Sequence, residues 1–170
     1  GITWGSSGLI YENQSGAMNE SLSDIFGYLV EAMWHEDADW LMGEDLYYSG
    51  GAIRSISNPP AYGDPDNVNH PYFVSFTDNP TGSNDYGGVH SNSGIPNKAF
   101  YMMITGGSHY GIEVPPLSQD LNESRDIAAN IWYIWNTEYL LPTDDFDIGS
   151  LAMLEVVSAL YPGDSDKYNS

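Results

Sequence analysis

Glu20 and Asp24 stand four residues apart in the stretch SGAMNESLSDIFG (15–27). A helix through it sets both carboxylates on one face, one turn above the other. Glu31 follows eleven residues after Glu20, and a 3.6-residue period returns it to nearly the same angle. A stripe of three acids can be an ordinary solvated face. Here, however, Ala17, Leu22, Ile25 and Phe26 crowd around it, so the helix is expected to be largely buried. A buried carboxylate needs a cation or strong donors, which makes a metal or a histidine the expected partner.

Two other groups carry chemistry. In HEDADWLMGED (35–45), Asp37, Asp39, Glu44 and Asp45 gather around Gly43, shortly after Glu31. Calcium takes about six to eight oxygen ligands, and short acidic loops supply them. The spacing is not that of an EF-hand, and a solvated acidic turn is the plain alternative. In NDYGGVHSNSG (84–94), Asp85 precedes His90 across Gly87 and Gly88. A carboxylate bonded to an imidazole fixes its tautomer and favours the protonated ring, which suits it to donate to a developing oxyanion. The alternative is an ordinary cap contact at a helix start. His35, His70 and His109 have no such setting and read as structural or surface residues.

The elements that position these groups follow from periodicity. One helix is expected over 15–34. A second begins near His90 and runs through NKAFYMMITGG to the stop at Gly106 and Gly107. A third opens at Ser118 and ends before Pro142, and a fourth covers DDFDIGSLAMLEVVSALY (144–161), halted by Pro162 and Gly163. Residues 37–88 are dense in Gly, Pro, Asn and Asp, and a loop region of that length is usually functional. The fold class expected is mainly α: one domain over 1–170, a helix bundle with a long ion-binding and substrate-lining loop region.

Composition narrows the function. Hydrophobic residues make up 41% of the 170 and aromatics 14%, enough for a real core. Twenty-four acids against four bases give a net charge of −20. That field repels nucleic acid and anionic membranes and attracts cations, so neither nucleic acid nor membrane is expected as a partner. With no cysteine, disulfide scaffolds and thiolate metal sites are excluded. No apolar run approaches the roughly 20 residues of a membrane helix, and no leader is visible. GITWGSSG is not a natural translation start, so the chain reads as an internal piece of a longer one.

Taken in order, GLIYENQSGAMNESLSDIFG, DADWLMGED, AIRSISNPPAYGDP, NDYGGVHSNSGIPNKAFY and GGSHYG resemble the C-terminal domain of the thermolysin family of zinc metalloproteases. The likeness runs from about Gly8 to Pro162. In that family two zinc-binding histidines and a general-base glutamate come from an H-E-x-x-H helix, and a glutamate downstream completes the His₂Glu site. The resemblance makes Glu20 that third ligand, with the H-E-x-x-H segment ending just before Gly1. It implies that Asp24 orients a zinc-bound histidine, and that His90, partnered by Asp85, stabilises the tetrahedral oxyanion. It likewise implies that Tyr11 contacts the oxyanion, that Arg54 holds a substrate carbonyl, and that Glu31, Asp39 and Glu44 bind calcium. Leu46 and Ile53 are the candidate lining of the primed-side pocket.

The resemblance therefore implies half of a secreted, extracellular zinc endopeptidase. Its cofactors are zinc and calcium, and its partners are a peptide or protein substrate and the N-terminal half of the protease. Alone the chain is expected to be inactive, since one ligand cannot hold catalytic zinc. One calcium-site acid belongs to the missing half. The segment from Tyr47 to Arg54 is shorter than the family pattern, which implies loss of a further calcium site there. The family also has one more helix after the fourth, so this chain is expected to be trimmed at both ends or completed by another. The rival reading is a non-catalytic, calcium-stabilised binding or assembly module derived from such a protease.

Overall fold

The structure is a computed structural model that describes residues 2–35, 37–46, 50–164 and 167, and it is mainly helical. Tyr47, Tyr48 and Ser49, within the segment expected to be short, lie outside the described residues. The chain divides into two compact units, residues 10–98 and residues 2–9 with 99 onward.

In the first unit, α1 (Asn13–Trp34) buries Ala17 beside Met18, Leu22, Ile25 and Tyr28, the last four spaced three or four apart as one helical face requires. Burying a large aliphatic side chain fully is worth about 1.5–3 kcal/mol, so this face anchors the unit. Gly16 lets α2 (Asp85–Asn92) approach, because a Cβ at position 16 would come within 2.4 Å of Val89 Cγ1. β1 (Leu41–Met42) and β2 (Arg54–Ser55) form a short antiparallel ribbon, Leu41 opposite Ser55 and Met42 opposite Arg54.

Most of the expected loop region is irregular, and two asparagines lace it down. The Asn13 amide donates to Thr77 O (3.2 Å) and accepts from Thr77 N–H (3.0 Å). The Asn92 amide does the same with Val74, at 2.8 and 3.0 Å. Each side chain stands in for a neighbouring strand, satisfying backbone groups that would otherwise be stranded.

The second helix of the sequence reading is broken. It divides at Ser93 into α2 and α3 (Gly94–Thr105), and α2 itself starts with a left-handed turn. Asp85 (φ 55°), Tyr86 (φ 50°), Gly87 (φ 85°) and Gly88 (φ 84°) all have positive φ. The last two must be glycine, because a Cβ would lie 2.3 Å from Asn13 Oδ1 at position 87 and 2.5 Å from Val74 Cβ at position 88.

The second unit is built on residues 99–105 of α3, α4 (Leu121–Ile134) and α5 (Phe146–Leu160). Phe100, Ile104, Ile131, Trp132, Trp135 and Val156 are buried there, with Trp132 edge-on to both Phe100 and Trp135. α4 starts three residues later than the Ser118 expected, because the Asp120 side chain accepts from the N–H groups of Asn122 and Glu123 and caps the helix. α5 likewise starts at Phe146 because Asp145 caps it. α4 runs on as a π-helical turn, Trp135–Tyr139. A hairpin of β3 (Gly107–His109) and β4 (Ile112–Val114), unforeseen from periodicity, follows α3.

Candidate active site

α1 presents Glu20 and Asp24, the extended segment before it Tyr11, β2 Arg54, and the left-handed turn Asp85 and His90. All six side chains converge within the first unit. The Tyr11 hydroxyl donates to Glu20 Oε1 at 2.5 Å, and its oxygen lies 3.1 Å from His90 Nε2. Glu20 Oε2 is 3.6 Å from His90 Nε2 and 3.7 Å from Arg54 Nη2. Among the described residues it accepts no hydrogen bond.

The left-handed turn folds Asp85 back onto the helix it introduces. Asp85 Oδ2 accepts from the backbone N–H of His90 (2.9 Å) and of Ser91 (3.3 Å), while Oδ1 takes His90 Nδ1. The sequence left an ordinary cap contact and an imidazole partner as alternatives, and the carboxylate is both at once. With Nδ1–H held by Asp85, Nε2 is the nitrogen turned toward Tyr11 and Glu20. Burial, then the hydrogen bond and charge of Glu20 and the charge of Asp85, push the Tyr11 phenol well above its ordinary range against the smaller pull of Arg54. The phenol therefore keeps its proton and stays a donor.

Asp24 is 4% exposed and accepts three hydrogen bonds, which leaves one acceptor position on Oδ1. Arg54 donates Nε–H to Oδ2 (2.9 Å) and Nη2–H to Oδ1 (3.1 Å), and Asn97 Nδ2 donates to Oδ2 (2.9 Å). Asn97 in turn accepts from Ser21 Oγ at 2.7 Å. Burial works to lower the Arg54 guanidinium pKa, yet the Asp24 bond and the charges of Asp24, Glu20 and Asp64 raise it above its ordinary value. The partner that the buried acids of α1 demanded is thus, for Asp24, an arginine and an asparagine.

Three side chains of this region had no role from sequence. Asn97 sat unmarked inside NSGIPNKAF. Asp64, in AYGDP, is pushed up to about 6 by burial above all, with the charges of Asp24 and Asp85 adding and those of Arg54 and His90 opposing. Tyr86 lies edge-on to Tyr11, ring centroids 5.7 Å apart.

Glu31, Asp39 and Glu44 gather elsewhere in the same unit, around an open basin also lined by His35, Asp37 and Asp45. His35, expected as a structural or surface residue, is exposed and sits on this rim. Burial first, then the facing charges of Glu44, Asp39 and Asp45, raise the Glu31 carboxyl above its ordinary value, with only His35 opposing. Leu46 and Ile53 are exposed, and Ile53 packs at Gly43.

The donor sets fit the two metals of the resemblance to different degrees. Glu20 Oε2, with free lone pairs and an 18% exposed side chain, suits one ligand of a zinc site. The basin offers the hard oxygen donors that calcium requires, with no lysine or arginine lining it. Among the described residues, no three His, Asp or Glu groups stand close enough together to hold a metal ion. No helix there is long and apolar enough to cross a membrane.

Comparison with known proteins bears on the family and the fold. The family described as thermolysin metallopeptidase, alpha-helical domain, matches residues 7–170. A bacillolysin of Bacillus caldolyticus and a thermolysin of Alicyclobacillus acidocaldarius subsp. acidocaldarius are each 42% identical over 99% of this chain. A bacillolysin of Brevibacillus brevis is 47% identical over 85%. The chain spans 29% of the length of the first two relatives and 24% of the third. Among solved structures, the precursor of protealysin, a metalloproteinase from Serratia proteamaculans, matches with a TM-score of 0.69 and 30% identity, over 98% of this chain and 50% of that one. The chain belongs to the thermolysin metallopeptidase family, as its alpha-helical domain.

Proposed function

We propose that this chain is the C-terminal half of a secreted zinc endopeptidase that hydrolyses internal peptide bonds, and that it is inactive alone. The observation that carries the reading is the meeting of the Tyr11 hydroxyl, His90 Nε2 and the Glu20 carboxylate within 2.5–3.6 Å of one another. A carboxylate with a free oxygen beside two hydrogen-bond donors is what hydrolysis of an amide at a metal demands.

Glu20 Oε2 would hold the zinc as one of three protein ligands. The two histidines and the general-base glutamate would come from an H-E-x-x-H segment outside these 170 residues. When bound, zinc polarises the scissile carbonyl and lowers the pKa of its water. Tyr11, turning its hydroxyl proton away from Glu20, and His90, as the imidazolium, would donate to the oxyanion as the tetrahedral centre forms, and Asp85 keeps the ring oriented with Nε2 outward. Arg54 spends Nε–H and one Nη2–H on Asp24, leaving its other guanidinium donors for a substrate carbonyl. Asp24 serves as the orienting acid for a zinc-bound histidine. Glu31, Asp39 and Glu44, with the rest of the basin, would take calcium.

The test uses the polypeptide completed by its H-E-x-x-H half. Glu20→Ala should lose zinc by metal analysis, whereas His90→Ala should retain zinc and lose about 10²–10³-fold in kcat, the usual cost of one oxyanion donor. Normal turnover in His90→Ala would overturn its role. Chelator-sensitive cleavage by the 170-residue chain alone would overturn the claim that it needs the other half.

A further inference from the structure

Tyr86 occupies a backbone conformation that its side chain makes costly. It sits at φ 50°, ψ 33° in the middle of the left-handed turn, where the Cβ crowds the following carbonyl and glycine or asparagine is the ordinary occupant. Its neighbours Gly87 and Gly88 follow that rule, and Tyr86 does not. Tyr86 is not a core residue, being 43% exposed. Nor does the hydroxyl compensate, because it makes no hydrogen bond among the described residues. What the ring does make is an edge-on contact with Tyr11, centroids 5.7 Å apart and planes at 67°. Tyr11 is 39% exposed, and among the described residues its other aromatic neighbour is His90, ring centroids 6.2 Å apart at 75°. Strain in an exposed residue that touches a working side chain points to a function for the strain.

We infer that Tyr86 is a positioning residue for the oxyanion donor: its ring braces Tyr11 so that the Tyr11 hydroxyl stays between Glu20 and His90 Nε2. The inference rests on the role proposed for Tyr11. The ring rather than the hydroxyl acts, and the left-handed turn that seats Asp85 against His90 also aims Tyr86 at Tyr11. One turn thus sets both oxyanion donors.

Two variants test this, Tyr86→Asn and Tyr86→Phe. Asparagine suits the backbone and removes the ring, while phenylalanine keeps the ring and loses only the hydroxyl. In the completed protease, Tyr86→Asn should hold or raise Tm and lower kcat by about tenfold with KM within about twofold, as expected when a reacting group is loosened and binding is not. Tyr86→Phe should match the wild type in both. Independently of any proteolysis, the Tyr11 ring-carbon NMR signal, assigned with Tyr11→Phe, should shift and broaden in Tyr86→Asn and not in Tyr86→Phe. If the protease reading fails, the NMR arm still decides whether Tyr86 braces Tyr11. An unchanged Tyr11 signal, wild-type kcat in Tyr86→Asn, or a Tm that falls in step with kcat would overturn the inference.

Discussion

Arg54 holds both oxygens of Asp24, Nε to Oδ2 at 2.9 Å and Nη2 to Oδ1 at 3.1 Å, across a ribbon strand and a helix thirty residues apart in sequence. The same guanidinium lies 3.7 Å from Glu20, so one cation serves two carboxylates of one helix face. Asp24 is almost wholly buried, and Arg54 is the only cation bonded to it among the described residues. Removing the guanidinium leaves an uncompensated charge inside the protein, which typically costs about 3–5 kcal/mol. Arg54→Met should therefore lose about that much stability in urea denaturation. Arg54→Lys should recover part of it, because an ammonium neutralises the charge but cannot fork onto both oxygens. A loss under about 1 kcal/mol in Arg54→Met would show that Asp24 finds other compensation.

Asp64 gives a prediction with a sign set by its pKa. Burial raises it from its ordinary 3.8 to about 6. An acid raised on folding binds its proton more tightly in the native state, so its protonated form favours folding. That stability is present below about pH 4 and is lost as pH rises toward 6. The full shift would correspond to about 3 kcal/mol, and its partial exposure to water reduces this to about 1–2 kcal/mol. Asp64→Asn should accordingly raise Tm at pH 7.5 and leave it nearly unchanged at pH 4. Equal shifts at the two pH values would mean that Asp64 pays no such penalty.

The acid stripe shows how far the sequence could be read. Glu20 and Asp24 do share a face of α1, and α1 spans nearly the residues its periodicity marks, because a long run of buried side chains at three- and four-residue spacing overrides local detail. Asp85 and His90 do pair. The partner of Asp24 was legible only as a need for a donor, since Arg54 arrives through a two-residue ribbon too short to leave a period-two pattern. The left-handed turn was hidden for a related reason. Gly87 and Gly88 advertise positive φ, but Tyr86 does not, and the bonds from Asp85 back to His90 and the edge-on meeting of Tyr86 with Tyr11 appear only in the folded chain. Asp64 carried no signal at all, because a carboxylate in a Gly- and Pro-rich loop reads as solvated until the fold buries it.

The acidic basin makes the last prediction, and it joins metal and pH. Glu31 is raised above its ordinary 4.5 by burial and by Glu44, Asp39 and Asp45, so without a cation the basin destabilises the fold increasingly as pH climbs past the ordinary glutamate value. A calcium ion bound there, as proposed, would remove the repulsion and add its own binding energy. At calcium near 100 times its Kd this linkage is worth about 2.7 kcal/mol. For a chain of this size that is a rise in Tm of about 5–10 °C. The rise should be larger at pH 7.5 than at pH 5, where protonation has already relieved part of the strain. Glu31→Gln should be more stable than the wild type in chelator at pH 7.5, and it should respond less to calcium. Thermal melts with and without calcium at the two pH values measure all of this. A Glu31→Gln protein no more stable in chelator, with an undiminished calcium response, would show that Glu31 neither suffers the basin's repulsion nor binds its ion.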